Sequence, residues 1–357
     1  MKIAYLSSLD SSVNSGGAYL RIEAIKHIYK ELEIQVDSFY SNDATEEKGL
    51  RGLSHYLKIL KYGYKPLILF KSKKIDLSKY DIVHFDNLRQ FSWDIKLKQN
   101  AKIIYNAHNL ECENYFQRED NTHSQNFLDH EINCIKKSNL TLVCSKREKS
   151  YLVKKDKTIE NKIVVIPNLI RKEDYYFSEI KKSILFLGTL DYYPNIKAVE
   201  YLTSTFSDYI KNNSPELVDK YNFVIAGRNP QDKQFEMIEN SIFTLQKDLT
   251  KEEVLGLLSC TYMNLVPLRH GSGTRLKIIE AIMSKSLVLS TELGSEGIVN
   301  ENIKTCDESN FHEEFIKLMK EENEFNDKSL VEFYKDFDLK TWMTYNSASL
   351  KKKVLEL

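Results

Sequence analysis

Short apolar runs alternate with longer amphipathic stretches along the whole chain. "KIAYLS" (2–7) precedes a helical stretch from about Gly17 to Leu32, and "EIQVDSFY" (33–40) follows it. "DIVHFD" (81–86), "KIIYNAH" (102–108), "LTLVCS" (140–145) and "KIVVIPN" (162–168) come next, separated by helix-length segments. This alternation predicts a parallel sheet wrapped by helices on both faces. The pattern lapses in the charged, aromatic connector "PNLIRKEDYYFSEIKKS" (167–183), then restarts. The second series is "SILFLGT" (183–189), a helix from about Pro194, "YNFVIAG" (221–227), "SIFTL" (241–245), "TYMNLVPL" (261–268) and "SLVLST" (286–291). The expected organisation is two α/β domains, 1–170 and 171–335. A helical segment, 336–357, is free to pack back across an interdomain cleft.

A length of 357 residues agrees with two domains, since it exceeds one ordinary core. With 51 basic and 51 acidic residues the net charge is zero, so no global attraction to nucleic acid is expected. The five cysteines form no CxxC pair and read as reduced thiols of a cytoplasmic protein, with Cys144 and Cys260 in apolar packing. No apolar run approaches the ~18 residues that span a bilayer. The stretch "MKIAYLSSLD" lacks the apolar run and cleavage site of a signal peptide.

One stretch breaks the even charge. Residues 48–75 hold Lys48, Arg51, Lys58, Lys61, Lys65, Lys71, Lys73 and Lys74 and no acidic residue. Leu50, Leu53, Leu57, Leu60 and Tyr64 recur at helical steps, so the first part reads as an amphipathic helix. Two readings stand: a helix packed on the N-terminal sheet with a solvated basic face, or a contact with an anionic membrane surface.

Open α/β sheets bind ligands beyond the carboxyl ends of their strands, so the informative loops are those that follow strands. "PLRHGSGTRLKIIEAIMSKS" (267–286) is the richest of them. Gly271 and Gly273 permit a turn in which backbone N–H groups converge, and Ser272 or Thr274 is placed to cap the helix that follows. Arg275 and Lys277 then fall in the first turn, where cations are unfavourable unless something negative lies nearby. Glu280 is in reach of hydroxyls around the same ligand. A diphosphate beside a ribose satisfies all these groups; surface carboxylates paired with the cations are the alternative. GxxxxGK[ST], GxSxG and GxGxxG are all absent.

Other strand-end positions are candidates too. The Gly16-Gly17 pair opens the first helix, either as a plain tight turn or as a place where backbone approaches a ligand. His108 ends its strand and is followed by Asn109 and Glu111. Arg228 and Glu296 follow strands. Ser145 and Glu148 follow another, where helix capping explains the serine equally well. No metal-ligand pattern is present: HExxH is missing, His123 and His130 lack a matching set, and "DFD" (336–338) lies beyond the strands.

Together these segments resemble the retaining GT-B glycosyltransferases of family 4. "PLRHGSGTRLKIIEAIMSKSLVLSTELGSEGI" is similar to their donor-nucleotide segment, and "FLGTLDYYPNIKAVEYL" and "VIAGRNP" to the start of their C-terminal domain. "SSVNSGGAYLRI" resembles their Gly-Gly loop, "YNAHNLECENYFQR" their histidine loop and "VVIPNLI" the last N-terminal strand and hinge. The resemblance implies two Rossmann-like domains facing a cleft, and metal-independent sugar transfer from a UDP- or GDP-type donor to a glycan or lipid-linked acceptor. It gives Glu280 to the ribose hydroxyls, Arg275 and Lys277 to the diphosphate, and His108 to the donor sugar. Gly16, Gly17, Arg228, Gly271, Ser272, Gly273, Thr274 and Glu296 complete the implied donor site. The first glutamate of the family's E-x7-E motif is replaced by Ser272. Asp191 and Asn195 stand where many members carry an Arg…Lys pair, a loss that Arg275 and Lys277 would compensate. A sugar-nucleotide epimerase and a catalytically silent partner of a transferase remain as alternative readings.

Overall fold

The computed structural model describes residues 1–7, 9, 16–40, 45–47, 72–88, 91, 94–116, 124–271, 273–321 and 323–357. They form two compact units. One comprises Met1–Leu169 with Trp342–Leu357, the other Ile170–Thr341.

The first unit is built on a six-stranded parallel sheet. Its strands are β1 (Lys2–Leu6), β2 (Gln35–Phe39), β5 (Ile82–Phe85), β7 (Lys102–Asn106), β8 (Leu140–Val143) and β9 (Ile163–Val165). They lie in the order β2-β1-β5-β7-β8-β9. Three further strands form a small separate sheet: β3 (Thr45–Glu47) pairs antiparallel with β4 (Ser72–Leu77), and β4 pairs parallel with β6 (Asp94–Leu97). Helix Gly17–Glu31 buries Ile22, Ala24, Ile25, Ile28 and Tyr29, an apolar stripe at three- and four-residue steps. It starts at Gly16, whose φ of 93° suits glycine. Helix Lys146–Lys155 starts from a capping box between Ser145 and Glu148, which settles Ser145 as a capping residue.

The second unit repeats the scheme with β10 (Ser183–Leu187), β11 (Asn222–Gly227), β12 (Thr244–Lys247), β13 (Thr261–Val266), β14 (Leu287–Thr291) and β15 (Ile303–Cys306). Every pairing is parallel, in the order β12-β11-β10-β13-β14-β15. Counted within the unit this is 3-2-1-4-5-6, the dinucleotide-binding order, with its reversal between β10 and β13. Phe206 anchors one face, within 6.4 Å (ring centroids) of Tyr201, Phe243, Phe311 and Phe315. Burial of such apolar surface, aliphatic and aromatic together, drives formation of the unit's core.

The predicted α/β class and its parallel sheets are therefore present. One element differs from expectation, and one lies largely beyond what is described. The helix after the glycine turn is Leu276–Met283, so Arg275 is its N-cap and not a first-turn residue, and no side chain caps it. Residues 48–71, the core of the basic stretch, lie outside the described residues; 72–75 belong to β4. Asp338 of "DFD" is fully buried and structural. Its carboxylate accepts from the Lys172 N–H at 3.1 Å and the Thr341 N–H at 2.9 Å, where the chain enters and leaves the second unit. No described helix is long and apolar enough to cross a membrane.

Candidate functional site

Each six-stranded sheet carries a polar cluster where its strand order reverses. In the second unit the reversal lies between β10 and β13, and the two loops beyond those strands meet there. The loop after β10 brings Gly188 and, one turn into the next helix, Asn195. The loop after β13 brings Gly271, Gly273, Thr274 and Arg275.

Asn195 organises this end. It is buried, its Nδ2 donates to the Thr189 carbonyl at 2.8 Å, and its Oδ1 accepts from Lys277 Nζ at 3.1 Å. A side chain at Gly188 would meet Asn195 Nδ2 at 2.7 Å, so only glycine leaves room for that amide. Gly271 has φ +108°, and a Cβ there would sit 3.1 Å from Arg275 Nη2 and 3.4 Å from Pro194. The Arg275 guanidinium thus lies against the turn, and the turn lies against Pro194 of the helix that carries Asn195. Gly273, also at positive φ (83°), and Thr274 are buried. Ser272 lies outside the described residues.

Lys277 is half-buried, with its ammonium 4.2 Å from the Phe186 ring centroid. Burial and then the Arg275 charge push its pKa down to about 7. Glu280, one helical turn on, accepts from the Tyr175 hydroxyl at 3.1 Å. Burial lifts its carboxyl to about 7 against the opposing pull of Tyr175 and Lys277. The start of Leu276–Met283 thus combines an uncapped set of backbone N–H groups with two cations and no acidic residue in the first turn. That combination favours an anion. Arg228 follows β11, half-buried, its carbonyl accepting from Leu190 N at 2.8 Å. Glu296 sits half-buried in the turn after β14.

In the first unit the reversal lies between β1 and β5, and the residue just past β5 is Asp86. It is fully buried, and its Oδ1 accepts from Tyr5 Oη at 2.6 Å, Asn106 Nδ2 at 3.0 Å and His108 Nε2 at 2.9 Å. Burial alone would raise this carboxyl. The His108 charge and the hydrogen bonds from His108 and Tyr5 outweigh it and hold the pKa near about 2. Behind this group, Arg21 is buried with Nε and Nη2 on Asn106 Oδ1 at 3.0 and 2.7 Å. Its Nη1 reaches the Ile166 carbonyl at 2.9 Å and Asn168 Oδ1 at 3.2 Å. Gly16 caps the helix that carries Arg21, and Gly17 is its exposed first residue.

Of the residues singled out from sequence, the structure brings together Gly271, Arg275 and Lys277, with Glu280 a turn further along the same helix. It places His108 in a separate cluster with Asp86. Sequence reasoning missed Tyr5, Arg21, Asp86, Asn106 and Tyr175. The available signal for Asp86 was its place at the end of "DIVHFD", a strand beside the first. Among the described residues no group of three or more His, Cys, Asp or Glu is placed to hold a metal ion.

Residues 30–174 match the family described as Glycosyltransferase Family 4, and residues 181–321 the family described as Glycosyl transferases group 1. No curated protein matches the chain. Among solved structures it is similar to HepE from Anabaena in complex with UDP and glucose (TM-score 0.64, 12% identity, 99% of this chain and 100% of that one). It is also similar to sucrose-phosphate synthase from Thermosynechococcus elongatus (TM-score 0.70, 13% identity, 99% of each chain). A glycosyltransferase from Rickettsia africae has a TM-score of 0.60 at 15% identity, over 99% of this chain and 98% of that one. At these identities the likeness is one of fold. Two family matches, one mainly in each unit, together with that fold support a glycosyltransferase of the GT-B class.

Proposed function

We propose that the chain transfers a sugar from a nucleotide-diphospho-sugar, of the UDP or GDP type, to a glycan or lipid-linked acceptor, with retention of anomeric configuration. The setting is assembly of a bacterial surface polysaccharide such as capsule, lipopolysaccharide or exopolysaccharide. The observation that carries this reading is the pair Arg275 and Lys277 against a glycine turn at the reversal of a 3-2-1-4-5-6 sheet. In the proposed reaction the nucleoside diphosphate departs. Its developing charge is stabilised by Arg275, Lys277 and the backbone N–H groups of 271–274, with no metal required. Glu280 takes the ribose hydroxyls, and His108 holds the transferred hexosyl group. Gly16 and Gly17 give close backbone approach, while Arg228, Ser272, Gly273, Thr274 and Glu296 line the donor. HepE, a fold relative, was crystallised with UDP-glucose, which supports a donor of that class. The basic stretch 48–75 would bring the protein to the inner face of the plasma membrane, where a lipid-linked acceptor is presented.

A thermal-shift screen against a panel of nucleotide sugars tests the donor. Binding to the native state alone raises apparent stability by RT ln(1 + [L]/Kd), so one nucleotide sugar is expected to stand out. Transfer is then read with that donor and candidate acceptors, and the product anomer by NMR. No shift with any nucleotide sugar would overturn the proposal. An epimerised donor formed without acceptor would replace it with the epimerase reading.

A further inference from the structure

The cluster around Asp86 holds a constraint on His108 that goes beyond its assignment to the donor. We propose that Asp86 is a positioning residue: it fixes the His108 ring with the proton on Nε2 and leaves Nδ1 to accept a hydrogen bond from a hydroxyl of the transferred sugar. The proposal rests on the reading of His108 as the sugar-contacting residue and names the device that makes the contact directional.

The geometry runs in one direction from the protein interior outward. A guanidinium only donates, so the two nitrogens Arg21 places on Asn106 Oδ1 make that oxygen the acceptor. The Asn106 amide has only one remaining face, and its Nδ2 donates to Asp86 at 3.0 Å. Tyr5 gives Asp86 a second donor at 2.6 Å, its ring held by a stack on His84 with centroids 4.2 Å apart. His84 is in turn bonded through Nδ1 to the Tyr29 hydroxyl at 2.8 Å and buried. An ionised carboxylate fed by two donors has no proton to give. The 2.9 Å contact with His108 is therefore a donation from Nε2–H to Asp86. The carboxylate is fully buried while the His108 side chain keeps 13% exposure, and Nδ1 makes no hydrogen bond among the described residues. In a neutral ring of this tautomer Nδ1 is an acceptor, which suits a sugar hydroxyl. A ring free to flip would present a donor to the same group half the time.

The tautomer is tested without substrate. Long-range 1H–15N NMR of the intact, histidine-labelled protein is expected to show His108 with a protonated Nε2 and a bare Nδ1 above its titration range. A proton on Nδ1 would overturn the proposal from the wild-type protein alone, whatever the variants do. Kinetics with the nucleotide sugar that gives the largest thermal shift supply the second arm. Asp86→Asn is expected to lower kcat ten- to a hundredfold, leave KM for the donor within threefold, and lose the wild-type tautomer signature. Asp86→Asn in a His108→Ala background is expected to cost nothing further, because the two residues act as one unit. Independent, multiplying losses would mark Asp86 as merely structural and overturn the proposal. If the tautomer is as stated but His108→Ala transfers sugar at the wild-type rate, the sugar contact itself falls and the proposal with it. A wrong tautomer with an inactive His108→Ala would leave the reading of His108 standing and remove only the role of Asp86.

Discussion

Lys277 Nζ donates to Asn195 Oδ1 at 3.1 Å, joining the helix after β13 to the first helix of the second unit across 82 positions of sequence. The bond explains how a chain with Asp191 and Asn195 after its first C-terminal strand keeps a cation at that end of the sheet. The ammonium arrives from the neighbouring loop, and a neutral amide steers it without cancelling its charge. Asp191 plays no part in this and accepts instead from Asn229 Nδ2 at 3.2 Å.

Asn195→Asp is therefore expected to be more harmful than Asn195→Ala. A carboxylate at the same place would pair with Lys277 and occupy the charge meant for a diphosphate, whereas alanine only frees the ammonium. Affinity for UDP or GDP, measured by calorimetry, is expected to fall tenfold or more in Asn195→Asp and less than fivefold in Asn195→Ala. Equal losses in the two would show that Lys277 does not meet the anion.

The same ammonium gives binding a pH dependence. With its pKa pushed down to about 7 by burial and Arg275, Lys277 is charged below neutrality and loses its proton as pH rises. Glu280, lifted to about 7, gains negative charge over the same range. Both changes oppose an anionic ligand, so nucleoside diphosphate affinity is expected to drop up to about tenfold per pH unit between 7 and 8.5. Binding at pH 8 should take up protons, detectable as a dependence of calorimetric heat on buffer ionisation enthalpy. Lys277→Arg, whose charge persists, should flatten the profile. A wild-type profile already flat across this window would refute the shift.

How much of this was legible depends on where a residue sits. The central strands β1, β5, β10, β13 and β14 read correctly because both of their faces are buried and apolar residues fill most of their positions. The edge strand β15 was missed, since "IKTC" offers one large apolar residue and no full burial. At the other edge, β12 starts at Thr244, three residues after "SIFTL" begins, because Phe243 belongs to the aromatic core. The glycine turn and its cations were visible as local chemistry. The helix start was placed too early because Arg275 is a poor cap by residue type, and only the structure shows that nothing else caps it. Asp86 and Arg21 carry no motif. Their meaning comes from contacts across 20 to 147 positions, which no local pattern encodes.

Close backbone approach makes a stability prediction at Gly227. A Cβ there would collide with the Gly188 carbonyl oxygen and lie 2.9 Å from Leu190 Cγ. The carbonyl belongs to backbone and cannot rotate away. Gly227→Ala is expected to cost about 1–3 kcal/mol or more, read as a lower denaturant midpoint at unchanged slope. Gly256→Ala is the control, because its Cβ would meet only the Tyr176 hydroxyl at 3.7 Å.

The last expectation concerns two buried carboxyls of the first unit. Glu131 and Glu148 are both buried in the first unit, and burial raises each to about 7. Glu148 binds the Cys144 and Ser145 N–H groups at 2.7 and 3.1 Å through Oε2, but its Oε1 is buried without a partner. Glu131 accepts from the Tyr105 hydroxyl at 3.2 Å and the Cys112 N–H at 3.1 Å. An acid whose pKa is higher folded than unfolded binds protons more tightly in the native state. Its contribution is complete below the ordinary value near 4.5 and is lost as pH rises toward about 7. The size is on the order of 3 kcal/mol for each group if the shift is fully realised. Stability from urea melts is thus expected to decline from pH 5 to pH 7.5. The double variant Glu131→Gln with Glu148→Gln, which cannot ionise, should show a shallower slope over that range. A wild-type protein equally stable at both ends would mean that another group offsets these two carboxyls, and a double variant with the wild-type slope would acquit them altogether.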